Sequence, residues 1–163
     1  LKNSRIRSVA STILLFLIAL SVSACSGSSA SFITKEVNPQ IDVFGVQLMM
    51  DEAKVKGLLG DQGEKAMCVY GYEYEYADKD INIGYNSKSN QVRRITSKNP
   101  ETSIFGIKPG TKLAEAYQVL AANGFIESAD SKYKYSKENI IISIISMKST
   151  NADGITIEIE PEQ

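Results

Sequence analysis

FGVQLMMDEAKVKGLLG, residues 44–60, and FGIKPGTKLAEAYQVLAANGF, residues 105–125, decide the fold. Both begin with Phe-Gly and a branched aliphatic residue, pass through a short linker, and enter a stretch with helical spacing. With Phe44 and Phe105 aligned, Ala53, Val55, Leu58 and Leu59 fall on Ala114, Ala116, Val119 and Leu120. Identity between the two is thin, but the order of elements recurs at about half-domain length and indicates an internal duplication.

The first helix has Asp51 as its expected N-cap, with Met50 placed to reach Val55. Val55, Leu58 and Leu59 form its apolar stripe and Gly60 ends it. Gly57 costs about 1 kcal/mol relative to alanine, so this helix is short and depends on packing. In the second copy Thr111 is the expected cap. Leu113, Ala116, Tyr117 and Leu120 lie at i, i+3, i+4 and i+7, one helical face, and Asn123-Gly124 supplies the stop.

Three strand candidates follow each helix. In VYGYEYEY, Tyr70, Tyr72, Tyr74 and Tyr76 share a face opposite Gly71, Glu73 and Glu75. INIGYN alternates in the same way, with Ile81, Ile83 and Tyr85 against Asn82, Gly84 and Asn86, and QVRRITS follows a polar turn. After the second helix come SKYKYS, NIIISIISM and GITIEIE, the last two joined by a loop whose Asp153-Gly154 is a hairpin signal. Helix then antiparallel meander, twice, is an α+β fold: two tandem α-β-β-β repeats, residues 42–97 and 103–160, with helices packed on one face of antiparallel sheet.

Two surfaces are candidates for binding. Tyr70, Tyr72 and Tyr74 are interface residues if their face is free, because tyrosine suits contacts that are half wet. The competing reading makes these rings the core under the first helix, which Ile81 and Ile83 on the neighbouring strand favour; the open face then carries Glu73, Glu75 and Asn82. NIIISIISM is apolar on both sides, with Ile141, Ile145 and Met147 opposite Ile140, Ile142 and Ile144. That strand is either covered on both faces or presents one sticky face to a partner.

Upstream, Lys2, Arg5 and Arg7 precede eight apolar residues, Ile13 to Leu20, and then Ser21, Ser23 and Ala24. A membrane-spanning helix needs roughly 20 apolar residues, so the expectation is a cleaved signal peptide over 1–24. Val22-Ser23-Ala24-Cys25 resembles the lipobox of bacterial lipoproteins. The resemblance implies diacylglyceryl attachment at Cys25, which becomes the mature N-terminus, and a lipid anchor in the membrane. Residues 25–41, opening with Ser-Gly-Ser-Ser-Ala-Ser after the cysteine, are expected to be a flexible tether. Ser26, in place of aspartate, implies the outer membrane if the host is Gram-negative, and otherwise the outer face of the plasma membrane.

The expected mature chain of 139 residues holds 15 basic and 19 acidic side chains, a net charge of −4. No basic stripe points to nucleic acid. The chain has no histidine, which removes Ser-His and Cys-His nucleophile pairs and histidine zinc sites. With Cys25 acylated, Cys68 has no disulfide partner within the chain, and burial as a small hydrophobe is the favoured role for its thiol. No cofactor is implied.

The repeat pattern resembles the tandem α/β repeats of the β-lactamase-inhibitor-protein fold and the single-repeat small outer-membrane lipoproteins of the SmpA/OmlA family. The matching residues are Phe44 to Val46, Phe105 to Ile107, Lys108-Pro109-Gly110 and Leu58-Leu59-Gly60; Met49 stands where such repeats carry glycine. These families act by binding proteins. The expected function is therefore a membrane-anchored, extracytoplasmic, non-catalytic protein-binding or scaffolding module whose partner is another envelope or secreted protein. One alternative is a secreted-enzyme inhibitor, reaching out with the turns at 78–80 or 87–90. The other is a carboxylate-based cell-wall hydrolase using Glu73, Glu75, Asp78 and Asp80.

Overall fold

A computed structural model describes residues 26–148 and 150–161. The expected signal peptide and Cys25 lie outside the described residues. The segment after them is not the flexible tether its small polar residues suggest. It forms helix α1 (Ser26–Phe32), a π-helical turn (Ile33–Val37) and a 3-10 turn (Asn38–Gln40). Phe32, Ile33, Val37 and Ile41 are buried, and their packing orders the chain where the polar run alone would not. Asn38 locks the end of this segment: its Nδ2 donates to the Leu48 carbonyl at 3.1 Å, while the Leu48 N–H donates to its Oδ1 at 3.0 Å.

The two Phe-Gly lead-ins share one backbone shape. Phe44 and Gly45 have φ of 52° and 78°, and Phe105 and Gly106 have 54° and 75°. Two successive positive-φ residues make a tight turn of the mirror-image kind, for which glycine is needed at the second place. Short strands β1 (Ile41–Asp42) and β6 (Ser103–Ile104) precede these turns and pair with one another, Ile41 opposite Ile104. Sixty-one residues apart, Met49 (φ 66°) and Gly110 (φ 97°) take positive φ again before each helix.

Helix α2 (Glu52–Leu59) follows Asp51 and stops at Gly60, whose φ is 85°. Val55 and Leu59 are buried, but Leu58 is half exposed, so the stripe is narrower than the spacing predicts. Helix α3 (Leu113–Ala122) buries Leu113, Ala116 and Leu120 and stops at Asn123-Gly124. Its N-cap is Lys112 rather than Thr111, because the Thr111 hydroxyl instead accepts from the Lys108 N–H at 3.0 Å.

Four strands, not three, follow each helix. After α2 come β2 (Glu64–Cys68), β3 (Gly71–Tyr76), β4 (Ile81–Asn86) and β5 (Val92–Ser97). After α3 come β7 (Ile126–Ser128), β8 (Ser131–Lys137), β9 (Ile140–Ile145) and β10 (Gly154–Ile159). The unforeseen members, β2 and β7, are the sheet's edges; they bury almost nothing and carry no clean alternation. All eight strands form one antiparallel sheet in the order β2-β3-β4-β5-β10-β9-β8-β7. Across it, register aligns Tyr74, Ile83, Ile95, Ile157, Ile142 and Tyr135 in one row, which reads alike from either side.

Each helix start is tied to a turn between two strands. The Glu52 N–H bonds the Asn90 carbonyl at 3.2 Å, and the Leu113 N–H bonds the Thr150 carbonyl at 3.0 Å. Asp153-Gly154 is not a two-residue hairpin turn. Gly154 is already in β10 opposite Ile145, and the longer connection between them reaches α3 through the Thr150 carbonyl.

Candidate functional site

The two faces of the sheet differ sharply. On the helix side, Glu52 of α2 accepts hydrogen bonds from the Tyr72 and Tyr74 hydroxyls at 2.6 and 2.9 Å, and Lys56 Nζ sits 2.7 Å from its carboxylate. On α3, Tyr117 stacks on Tyr135 with centroids 5.6 Å apart. The Lys56 ammonium, with help from Tyr72, holds the Glu52 carboxyl down at about 2. Burial, then the same hydrogen bond, raises Tyr72 well above the usual phenol range, so it remains a donor. Burial also raises Tyr85 and Tyr76, whose hydroxyls have no hydrogen-bond partner among the described residues.

This arrangement removes two of the three candidate interface tyrosines. Tyr72 and Tyr74 are core, 6% and 8% exposed under α2. Tyr70 departs from their row because Gly71, at φ 148°, turns the chain; a Cβ there would lie 2.0 Å from the Tyr85 carbonyl oxygen. Tyr70 is left more than half exposed at the β2–β3 turn, beside exposed Val69 and Met67. Cys68, at the end of β2, is a half-exposed free thiol.

The opposite face is half exposed from Glu73 across to Ser143. Arg94 reaches over Gly84, which has no side chain to block it, and pairs with Glu73. Thr96 and Thr156 share a hydrogen bond at 2.9 Å. Towards the β7 edge this face stays mixed, because β8 presents exposed Lys134 and Ser136 on it between β7 and β9. Ile126 is largely exposed and Ile145 half buried, whereas Ile141 is only 6% exposed and Met147 projects from the loop after β9. Ile141 is thereby removed from the candidate surface, while Ile145 and Met147 remain accessible. Of the four carboxylates considered for hydrolysis, Glu73 is engaged by Arg94 and Asp78 by neighbouring Lys79. Among the described residues no three Cys, Asp or Glu side chains are grouped to hold a metal, and no helix is long and apolar enough to cross a membrane.

One end of the sheet holds a feature that spacing did not reveal. A cleft of about 760 Å³ opens between α1 and the strand ends, walled by Ile33, Met49, Val69 and Ile159. Arg93 and Asn139 line it. A bulge between β4 and β5 sets Arg93 out of the ladder alternation, a signal no periodicity argument supplies.

No family model matches the chain, and no curated protein matches it. Among solved structures it is similar to an extracellular protein containing an SCP domain from Bacillus anthracis str. Ames, with a TM-score of 0.56 at 10% identity. The likeness covers 69% of this chain and 44% of that one, so the chain matches less than half of its neighbour's length. At this identity it speaks to the fold alone.

Proposed function

We propose that this protein is a lipid-anchored extracytoplasmic module that binds another envelope or secreted protein without catalysing a reaction. In this reading two copies of one helix-and-meander unit share the sheet. The palindromic Tyr-Ile-Ile-Ile-Ile-Tyr row, the paired lead-ins and the matching ties from Glu52 to Asn90 and from Leu113 to Thr150 support duplication. The lipobox-like residues ending at Cys25, behind a charged and then apolar segment, support anchoring.

The observation that carries the binding role is the half-exposed sheet face, on which the Glu73–Arg94 pair, Lys134 and Ser136 of β8, and the separate apolar residues Ile126 and Ile145 are open to contact. A mixed polar and apolar surface of this kind is typical of contacts between proteins that also exist apart. Two measurements test the proposal. Mass spectrometry of the membrane fraction should find a mature N-terminus at residue 25 carrying acyl chains; a bare thiol on soluble protein would overturn the anchor. Affinity capture from detergent-solubilised membranes should recover one specific partner with the wild type and lose it with Ile145→Lys at unchanged melting temperature. Capture that survives this charge on the sheet face would rule that face out.

A further inference from the structure

The geometry points to the cleft beneath α1 as a receptor for the C-terminal end of a peptide: a free carboxylate on Arg93, an amide N–H on Asn139, and an apolar side chain against the wall. This deepens the protein-binding reading by naming a ligand class, but it uses a different surface from the sheet face.

Arg93 is the foundation. Its side chain is only 7% exposed, yet it lines the cleft, and its Nε has no hydrogen-bond partner among the described residues. Its remaining ties are a 3.3 Å contact from Nη1 to Glu158 and the Tyr70 ring 5.2 Å away. Guanidinium presents five donors in a planar fork, so one contact to Glu158 leaves donors for a carboxylate. Asn139 adds the complementary lack: its Oδ1 is buried and has no donor among the described residues. Neither atom is open to solvent, so a group offering both an acceptor and an N–H, as the end of a peptide does, would complete both bonds by drawing the two side chains outward into the cleft.

Charge and size narrow the class. Lys88 and Arg93 line the cleft with a single carboxylate, Glu160, while Glu158 outside the lining holds Arg93, a set that suits one negative charge better than the two of a phosphate monoester. Ile33, Met49, Val69 and Ile159 give a side chain an apolar wall. The volume falls within the roughly 300–1,000 Å³ of ligand sites.

The test titrates the ¹⁵N-labelled full chain in detergent micelles with N-acetylated tetrapeptides ending in an apolar residue. One pool has free carboxylates; a second has the same sequences as C-terminal amides. The free acids should shift the Arg93 Nε–H and Asn139 amide signals saturably, and the amides should bind at least tenfold more weakly. Tyr70→Ala removes an exposed ring that packs on Arg93 and should weaken binding severalfold with the melting temperature unchanged. Arg93→Lys should lower affinity tenfold or more. Equal response to acids and amides, or no response to either, would overturn the proposal and leave the cleft to water. A shift produced by anionic lipid vesicles but not by peptides would also overturn it. Ile145→Lys keeps the peptide response if the two surfaces are separate, so loss of membrane capture and loss of cleft binding are read independently.

Discussion

The two halves of the sheet present the same geometry to their helices with different chemistry. Around the shared row, the first half fills its core with Tyr72, Tyr76 and Tyr85, and α2 brings Glu52 and Lys56 to meet the hydroxyls. The second half uses Ile140, Ile144 and Ile155, and α3 brings Tyr117. Aliphatic packing is non-directional and insensitive to pH, whereas a carboxylate bonded to two phenols is directional and titrates. One layer arrangement thus accepts either solution: the first half gathers two phenols and a lysine on one carboxylate, whereas in the second Glu127 accepts from Tyr135 alone at 3.2 Å.

The sharpest way to break this contrast is a cavity in the aliphatic half. Ile142 is fully buried at the palindromic row, between Ile157 and Tyr135. Ile142→Ala should cost about 2–5 kcal/mol, seen as a lower denaturation midpoint in urea with the slope unchanged. The loss should be nearly the same at pH 3 and pH 7, since the atoms removed are aliphatic and carry no charge. A loss that varied with pH would show that the cavity disturbs the neighbouring Tyr135–Glu127 bond.

Glu52 gives the opposite signature and a smaller effect. Its folded pKa is depressed to about 2 from the ordinary 4.5, chiefly by Lys56 and then by Tyr72. A depressed carboxyl contributes stability that is present above 4.5 and is lost as pH falls towards 2. With the partly exposed ion pair discounted for solvent screening, the contribution is on the order of 1–2 kcal/mol. Glu52→Gln should lower the melting temperature at pH 7 and flatten its decline between pH 5 and pH 2. An unchanged acid limb in the variant would assign acid sensitivity to another group.

Sequence reading recovered these elements in proportion to how strongly burial imprints a period. The strands from Ile81 and Gly154 alternate because one side is core, and both were legible. The edge strands β2 and β7 bury almost nothing, so no period marks them. Leu58 fits the helical spacing yet is half exposed, because position on a helix does not state how far the sheet extends beneath it. At the site the limits were similar. Alternation placed Tyr70 with Tyr72 and Tyr74, and only the backbone turn at Gly71 separates them. The cleft depends on Arg93 in a bulge and on Asn139 some 46 positions away along the chain, and no local pattern joins them.

The smallest expected effect bears on the two lead-ins themselves. Met49 and Gly110 occupy equivalent places before α2 and α3, both with positive φ, but only one is glycine. A Cβ at Gly110 meets no atom within 4 Å, so Gly110→Ala tests backbone conformation without a clash. It should cost about 1 kcal/mol, the penalty an L side chain bears with the chain turned left-handed. Met49 already bears that penalty, offset by its packing against the core. Met49→Gly relieves the strain but forfeits the packing, so it should change stability by less than Gly110→Ala does. If Met49→Gly destabilises the protein more than Gly110→Ala, the thioether's contacts outweigh the backbone strain. The methionine would then be part of the first half's own packing solution, as its tyrosines are.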